Sequence, residues 1–165
     1  MEHILALMRH AKSDYPEDTP DHDRPLAERG RRDAPRMGGW LRDTGYVPDL
    51  VVCSTAARTR QTWDLVAPEL GATPAVRYEP RLYGASEFGL LMLIRELPED
   101  CGAALFIGHN PAVGELAAAL PGEHPMRFPT ASVAVLRLPG GWASVVPGAA
   151  SQLALASPRS IRERR

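Results

Sequence analysis

The chain is expected to fold as an α/β protein, a three-layer α/β/α sandwich around a mostly parallel but mixed central sheet. Three observations lead there: apolar runs of strand length, segments of helical period following most of them, and two apolar runs at the end with no helix between them. Alternation of strand and helix requires each connection to cross the sheet before the next parallel strand starts, so helices cover both faces. The closing pair, SVAVLRL and GWASVV joined by LPGG, predicts an antiparallel hairpin at one end of the sheet, which makes it mixed.

Ile4 to Met8 is apolar throughout and bracketed by charge, as a short buried strand requires. SDYPEDTPDHDRP then packs prolines and acids at a density that only a loop tolerates, ending near Pro25. From Glu28 to about Thr44, Met37, Trp40 and Leu41 recur in helical phase, and Gly45 supplies a stop. Pro35 inside that stretch predicts a late start or a kink, and Gly38-Gly39 weakens it. DLVVC, residues 49–53, is a second buried strand, and STAARTRQTWDLVAPEL places Thr59, Trp63, Val66 and Leu70 on one helical stripe. A short extended piece spans Ala75 to Tyr78. LYGASEFGLLMLIRELPED predicts a helix with Phe88, Leu91 and Ile94 or Arg95 near phase, capped by Ser86 and ended by Pro98. Ala103 to Ile107 is the next buried strand. GHNPAVGELAAAL turns at once into a helix, with Pro111 at its first position and Leu116 and Leu120 facing inward. The end, ASPRSIRERR, has no apolar stripe and is expected to fray, so the single domain is placed at residues 1–158 and a flexible basic tail at 159–165.

With 165 residues the chain fills one core and is too short for two ordinary enzyme domains. Its 44% hydrophobic and 24% charged residues exclude general disorder. A formal net charge of -1 supplies no basic field for a nucleic-acid backbone, and the few aromatic residues are spaced like core residues, so nucleic acid is not an expected partner. No run approaches the roughly 20 apolar residues of a membrane span. No cleavage signal follows the first apolar stretch, and a cytoplasmic location is expected. Cys53 and Cys101 form neither a disulfide framework nor a metal cluster, so no metal and no cofactor are expected. The expected state is a monomer or weak homodimer. Every positive side chain except Lys12 is arginine, whose rigid fork suits oxyanions.

In open α/β sheets chemistry gathers beyond the carboxyl ends of the strands. Three predicted strand ends carry distinctive groups: Arg9-His10 after the first, Ser54 with Arg58 after the second, His109-Asn110 after GAALFIG. The last two lie where helices begin, so free backbone N–H groups favour an anion there as well. Arginine forks and helix starts together describe a seat for a phosphoryl group. Neutral imidazole attacks phosphorus without first losing a proton, so His10 can take the phosphoryl group and yield it to water, while Arg9, Arg58 and the second histidine hold the nonbridging oxygens.

The ordered set RHAKS, DHDRPLAERG, STAARTRQT, LYGAS and GHNP resembles the histidine phosphatase superfamily of phosphoglycerate-mutase-like fold, in particular its short SixA-like branch of phosphohistidine phosphatases. The likeness runs from residue 4 to about 138. It implies His10 as the catalytic nucleophile, Arg9 and Arg58 as phosphate-binding arginines, and His109 as the second pocket histidine. Arg24 would lie at the pocket mouth, orienting loop or substrate, or pair structurally with Asp21 or Asp23. Lys12 and Ser13 are expected to shape the loop, with a weak phosphate contact at most.

Larger members of that superfamily roof the pocket with insertions and bring a carboxylic acid to the leaving oxygen. Here the stretch between Cys53 and Cys101 has room for helices but not for a large lid. Glu87, Asp14 and Asp23 are the candidate acids. An open pocket admits a histidine presented on another protein, and protonated imidazole leaves more readily than an alkoxide. The resemblance therefore implies a metal-independent phosphatase acting on protein phosphohistidine or an accessible phosphomonoester. A small-molecule phosphatase for a sugar phosphate or nucleotide, and a noncatalytic phosphate-binding module, are the alternatives.

Overall fold

The computed structural model describes residues 2–163. Among them six strands form one sheet: β1 (His3–Arg9), β2 (Leu50–Ser54), β3 (Ala75–Glu79), β4 (Ala103–Gly108), β5 (Val133–Leu138) and β6 (Ser151–Ala156), in the spatial order β3-β2-β4-β1-β5-β6. The pairs β1–β4, β2–β4 and β2–β3 are parallel, while β1–β5 and β5–β6 are antiparallel, so the sheet is mixed as the sequence predicts. Five helices accompany it: α1 (Glu28–Thr44), α2 (Ala57–Val66), α3 (Glu87–Arg95), α4 (Ala112–Ala119) and α5 (Pro158–Glu163).

Strand side chains alternate between faces, and the core divides accordingly. Leu5, Leu7, Val52, Ala104 and Phe106 pack with Leu90, Ile94 and Leu116 of α3 and α4. Ala6, Met8, Val51, Leu105 and Ile107 pack with Met37, Leu41, Trp63 and Val66 of α1 and α2. Both faces of the central strands are therefore buried, which is why these strands read as continuous apolar runs rather than as alternation. No helix among the described residues is long and apolar enough to cross a membrane.

Pro35 neither delays nor divides α1, which starts at Glu28 and runs to Thr44. It removes one intrahelical donor, from the Arg31 carbonyl one turn earlier, at a residue on the exposed side of the helix. Gly45 ends the helix in the left-handed region at φ 83°, where glycine has no Cβ penalty. In α3 the buried residues are Leu90, Leu91, Leu93 and Ile94, and Phe88, expected on the stripe, is 67% exposed on the first turn. Ser86 caps that helix as expected, accepting from the Gly89 amide. Pro111 lies one residue before α4 rather than at its first position.

The predicted hairpin is the main correction. GWASVV is not a strand: Trp142–Ser144 forms a 3-10 turn, and the strand that pairs with β5 is Ser151–Ala156. Trp142 accounts for the apolarity of the run, because its ring is fully buried, donates from Nε1 to the Cys101 carbonyl at 2.7 Å, and packs 4.7 Å from His3. The basic end is not frayed through residue 163 either. Ser157 and Ser160 cap α5 reciprocally, Arg36 donates to the Pro158 carbonyl, and Ile161 packs against the α1 side of the core. Arg164 and Arg165, the last of the predicted tail, lie outside the described residues.

Candidate active site

Parallel pairing of β4 with β1 places Gly108 opposite Arg9, so the next residue on each strand, His109 and His10, leaves the sheet beside the other. Their ring centroids are 5.4 Å apart. β2 lies on the other side of β4 with Cys53 opposite Ile107, which brings Ser54 beside His109; the Ser54 Oγ to His109 Nε2 distance is 2.8 Å. Adjacent parallel strands thus deliver all three motif ends to one place.

Arg9, His10, Arg58 and His109 line a single open cavity of about 150 Å³, and Lys12, Ser13, Arg24 and Asn110 contribute to its wall. Four fixed cations, Arg9, Lys12, Arg24 and Arg58, face this space, and among the described residues no carboxylate lines it. Even with Asp21 paired to Arg24 and Arg58 just behind the wall, positive charge is in excess here, although the chain as a whole is nearly neutral. Buried polar atoms without a partner mark the same place: Arg9 Nε and His109 Nδ1 have none among the described residues. Such atoms call for a ligand or solvent partner.

His10 is 7% exposed, and its Nδ1 donates to the Ala11 carbonyl at 2.7 Å. That bond fixes the proton on Nδ1 and leaves the lone pair on Nε2. Burial, then the nearby His109, Arg58 and Arg9, push the His10 pKa down to about 3 against the pull of the Ala11 carbonyl. Burial and Arg58 push His109 down to about 4. Both rings are neutral at pH 7 in the free protein, so His10 needs no general base to act as a nucleophile.

The loop carrying His10 is held from two sides. The Ala11 amide donates to Thr62 Oγ1 at 3.0 Å, which ties it to α2. Gly30, in the first turn of α1, lies so close to the Lys12 carbonyl that a Cβ there would overlap it. Asn110 accepts from the Gly114 amide at the start of α4 and donates to the Phe128 carbonyl.

The sequence-derived set thus separates cleanly. Arg9, His10, Arg58 and His109 are brought together, with Lys12 and Ser13 beside them. Arg24 lines the cavity, pairs with Asp21 at 2.9 Å and donates to Ser13 Oγ at 2.6 Å. Asp14, Asp23 and Glu87 do not line the cavity. Asp14 is exposed and accepts from the Tyr15 amide, Asp23 faces His22, and Glu87 lies in the first turn of α3. Two neighbours of the site have contacts that the sequence does not assign, Asp21 being expected only as a possible partner of Arg24 and Tyr83 not at all. Asp21 binds Arg24, Arg58 and Tyr83, and the Tyr83 ring packs edge-on to His109 at 5.7 Å. The first Asp of DHDRPLAERG is the available signal for one; the LYGAS motif contains the other.

Comparison with known proteins gives a consistent picture. A family model described as histidine phosphatase superfamily (branch 1) matches residues 5–87. An uncharacterised Mycobacterium tuberculosis protein, Rv1276c of strain H37Rv, is 41% identical over 162 residues, spanning 92% of this chain and all of that one. Among solved structures, SixA of Nakamurella multipartitia, assigned as a phosphohistidine phosphatase, superposes with a TM-score of 0.83 at 34% identity, covering 96% of this chain and 97% of the other. The protein histidine phosphatase SixA in complex with tungstate gives 0.81 at 27% identity, covering 98% and 99%.

Proposed function

The chain belongs to the histidine phosphatase superfamily (branch 1) and is a phosphatase; from the composition of its pocket we propose that it removes the phosphoryl group of protein phosphohistidine through a covalent intermediate on His10. The observation that carries this reading is a cavity wall that joins a neutral, oriented His10 to four cations and, among the described residues, offers no carboxyl group.

The phosphoryl oxygens lie against Arg9, Arg58 and His109, and Nε2 of His10 attacks phosphorus opposite the leaving atom. One P–N bond forms as the substrate P–N bond breaks, and the electron pair of the broken bond stays on the departing nitrogen. A substrate imidazole protonated on its other nitrogen departs neutral, so no acid is required. In the second step water attacks phosphorus and the His10 P–N bond breaks. Because Nδ1 keeps its proton on the Ala11 carbonyl, His10 also departs as neutral imidazole. Orthophosphate carries both protons of the water. An alkoxide leaving group would lack the assistance that a general acid supplies, commonly about 10²–10⁴ in rate. The missing wall carboxyl therefore favours a nitrogen leaving group. Similarity to the two SixA proteins, both named for histidine phosphatase chemistry, supports the same choice.

The test is kcat/KM for a phosphohistidine peptide against sugar phosphates, nucleotides and p-nitrophenyl phosphate, with alkaline quenching after brief exposure to labelled substrate. The expected result is preference for the peptide and base-stable, acid-labile label on His10, with turnover abolished in His10→Ala. Clear preference for one metabolite would reassign the protein as a small-molecule phosphatase. Tungstate binding without turnover of any substrate would leave a phosphate-binding module.

A further inference from the structure

Asp21 lies in the loop between β1 and α1 and does not line the cavity, yet two of the cavity's cations end on it. Its carboxylate accepts from Arg24 Nη1 at 2.9 Å, Arg58 Nη2 at 3.1 Å and Tyr83 Oη at 2.7 Å, and its backbone carbonyl accepts from Arg58 Nη1 at 2.8 Å. The donors come from the loop itself, from α2 and from the connection between β3 and α3. Those hydrogen bonds, Tyr83 foremost, hold the Asp21 carboxyl well below the usual carboxylate range, so it stays ionised and is no proton donor.

A carboxylate this near an anion seat opposes the anion electrostatically, so its contribution must be geometric. A guanidinium has five N–H donors. Asp21 takes one from each terminal nitrogen of Arg58, which fixes the plane of the fork and leaves the other donors for a ligand. It takes one more from Arg24, whose Nε and Nη2 are held by the Asp14 carbonyl and Ser13 Oγ. Through Tyr83 it also fixes a ring packed edge-on against His109 and, at 4.7 Å, against His22.

We propose that Asp21 is the positioning residue of this site, setting the orientation of Arg58 and Arg24 toward the phosphoryl group and of Tyr83 toward His109. The inference rests on the phosphatase reading of the pocket. Asn at position 21 keeps the shape but must turn its NH₂ toward side chains that donate, so it cannot serve Arg58, Tyr83 and Arg24 together.

Steady-state kinetics with the phosphohistidine peptide and p-nitrophenyl phosphate on wild type, Asp21→Asn, Asp21→Glu, Arg58→Ala and the Asp21→Asn/Arg58→Ala double variant test this. Asp21→Asn is expected to fold, to lower kcat by about tenfold with a smaller change in KM, and to be partly rescued by Asp21→Glu. If Asp21 acts through Arg58, the Asn substitution loses most of its effect on kcat when Arg58 is already absent. Wild-type kcat per folded Asp21→Asn molecule, or a full drop retained in the Arg58→Ala background, would overturn the assignment. Absence of turnover by wild type itself would instead overturn the phosphatase reading, and this inference with it.

Discussion

Two neutral imidazoles buried among arginines make the stability of this protein pH-dependent in a way that can be calculated. His10 titrates at about 3 and His109 at about 4 in the folded chain, against about 6.5 for an unfolded histidine. The unfolded state therefore binds more protons than the native state throughout the window between. Stability from these groups is fully present above about pH 6.5 and is lost as pH falls toward 4 and then 3. From pH 7 to pH 5 each unfolded histidine becomes almost fully charged while each native one stays neutral, a loss of about 2 kcal/mol per ring and about 4 kcal/mol for both. The assay is urea denaturation of wild type and of His10→Gln/His109→Gln at the two pH values, in a buffer free of oxyanions. Other titrating groups, such as Asp21 and Glu79, whose hydrogen bonds lower their pKa values, are common to both proteins and cancel in the comparison. Wild type is expected to lose about 4 kcal/mol more than the double variant. An equal loss in both would mean that the two rings take up protons between pH 7 and pH 5 as they do in the unfolded chain, and the claim that burial and the arginines hold them neutral would fail.

Gly30→Ala forces a Cβ into the Lys12 carbonyl, so the loop behind His10 must move; stability should drop by about 1–3 kcal/mol and kcat/KM by about 10², measured by denaturation and turnover. Ser54→Ala removes the hydroxyl that meets His109 Nε2 and should lower kcat about tenfold with the melting temperature changed by only a few degrees. Trp142→Ala empties a fully buried site beside His3, at the opposite end of β1 from Arg9; denaturation should show a loss of about 3–5 kcal/mol, with kcat per folded molecule unchanged.

The parts of this molecule that the sequence makes legible are those specified locally. A buried parallel strand is a continuous apolar run, and the residues just past its end sit at the sheet's carboxyl edge. Arg9-His10, Ser54 with Arg58, and His109-Asn110 can therefore be assigned to one edge without any knowledge of register. Register then completes the site: Arg9 opposite Gly108 makes His10 and His109 neighbours, and no local pattern states that pairing. β6 escapes a sequence reading because it is an edge strand, SQLALA, largely exposed and weakly patterned, while the stronger apolar run in GWASVV belongs to a buried tryptophan in a turn. α5 escapes it because one isoleucine makes no stripe, and its stability comes from two serine caps and from packing on α1.

Asp21 belongs to the second kind of information. Its three side-chain donors lie at positions 24, 58 and 83, so its role exists only once loop, helix and strand connection have met. The sequence offers it merely as a partner for Arg24, and the acids it offers for proton donation, Asp14, Asp23 and Glu87, lie away from the cavity wall. The difference comes from what each task demands. Binding an oxyanion needs cations at a strand edge, which short motifs supply. Holding those cations in one orientation needs an acceptor from elsewhere in the chain, and a carboxylate kept out of the cavity provides it without occupying the place of the phosphoryl group.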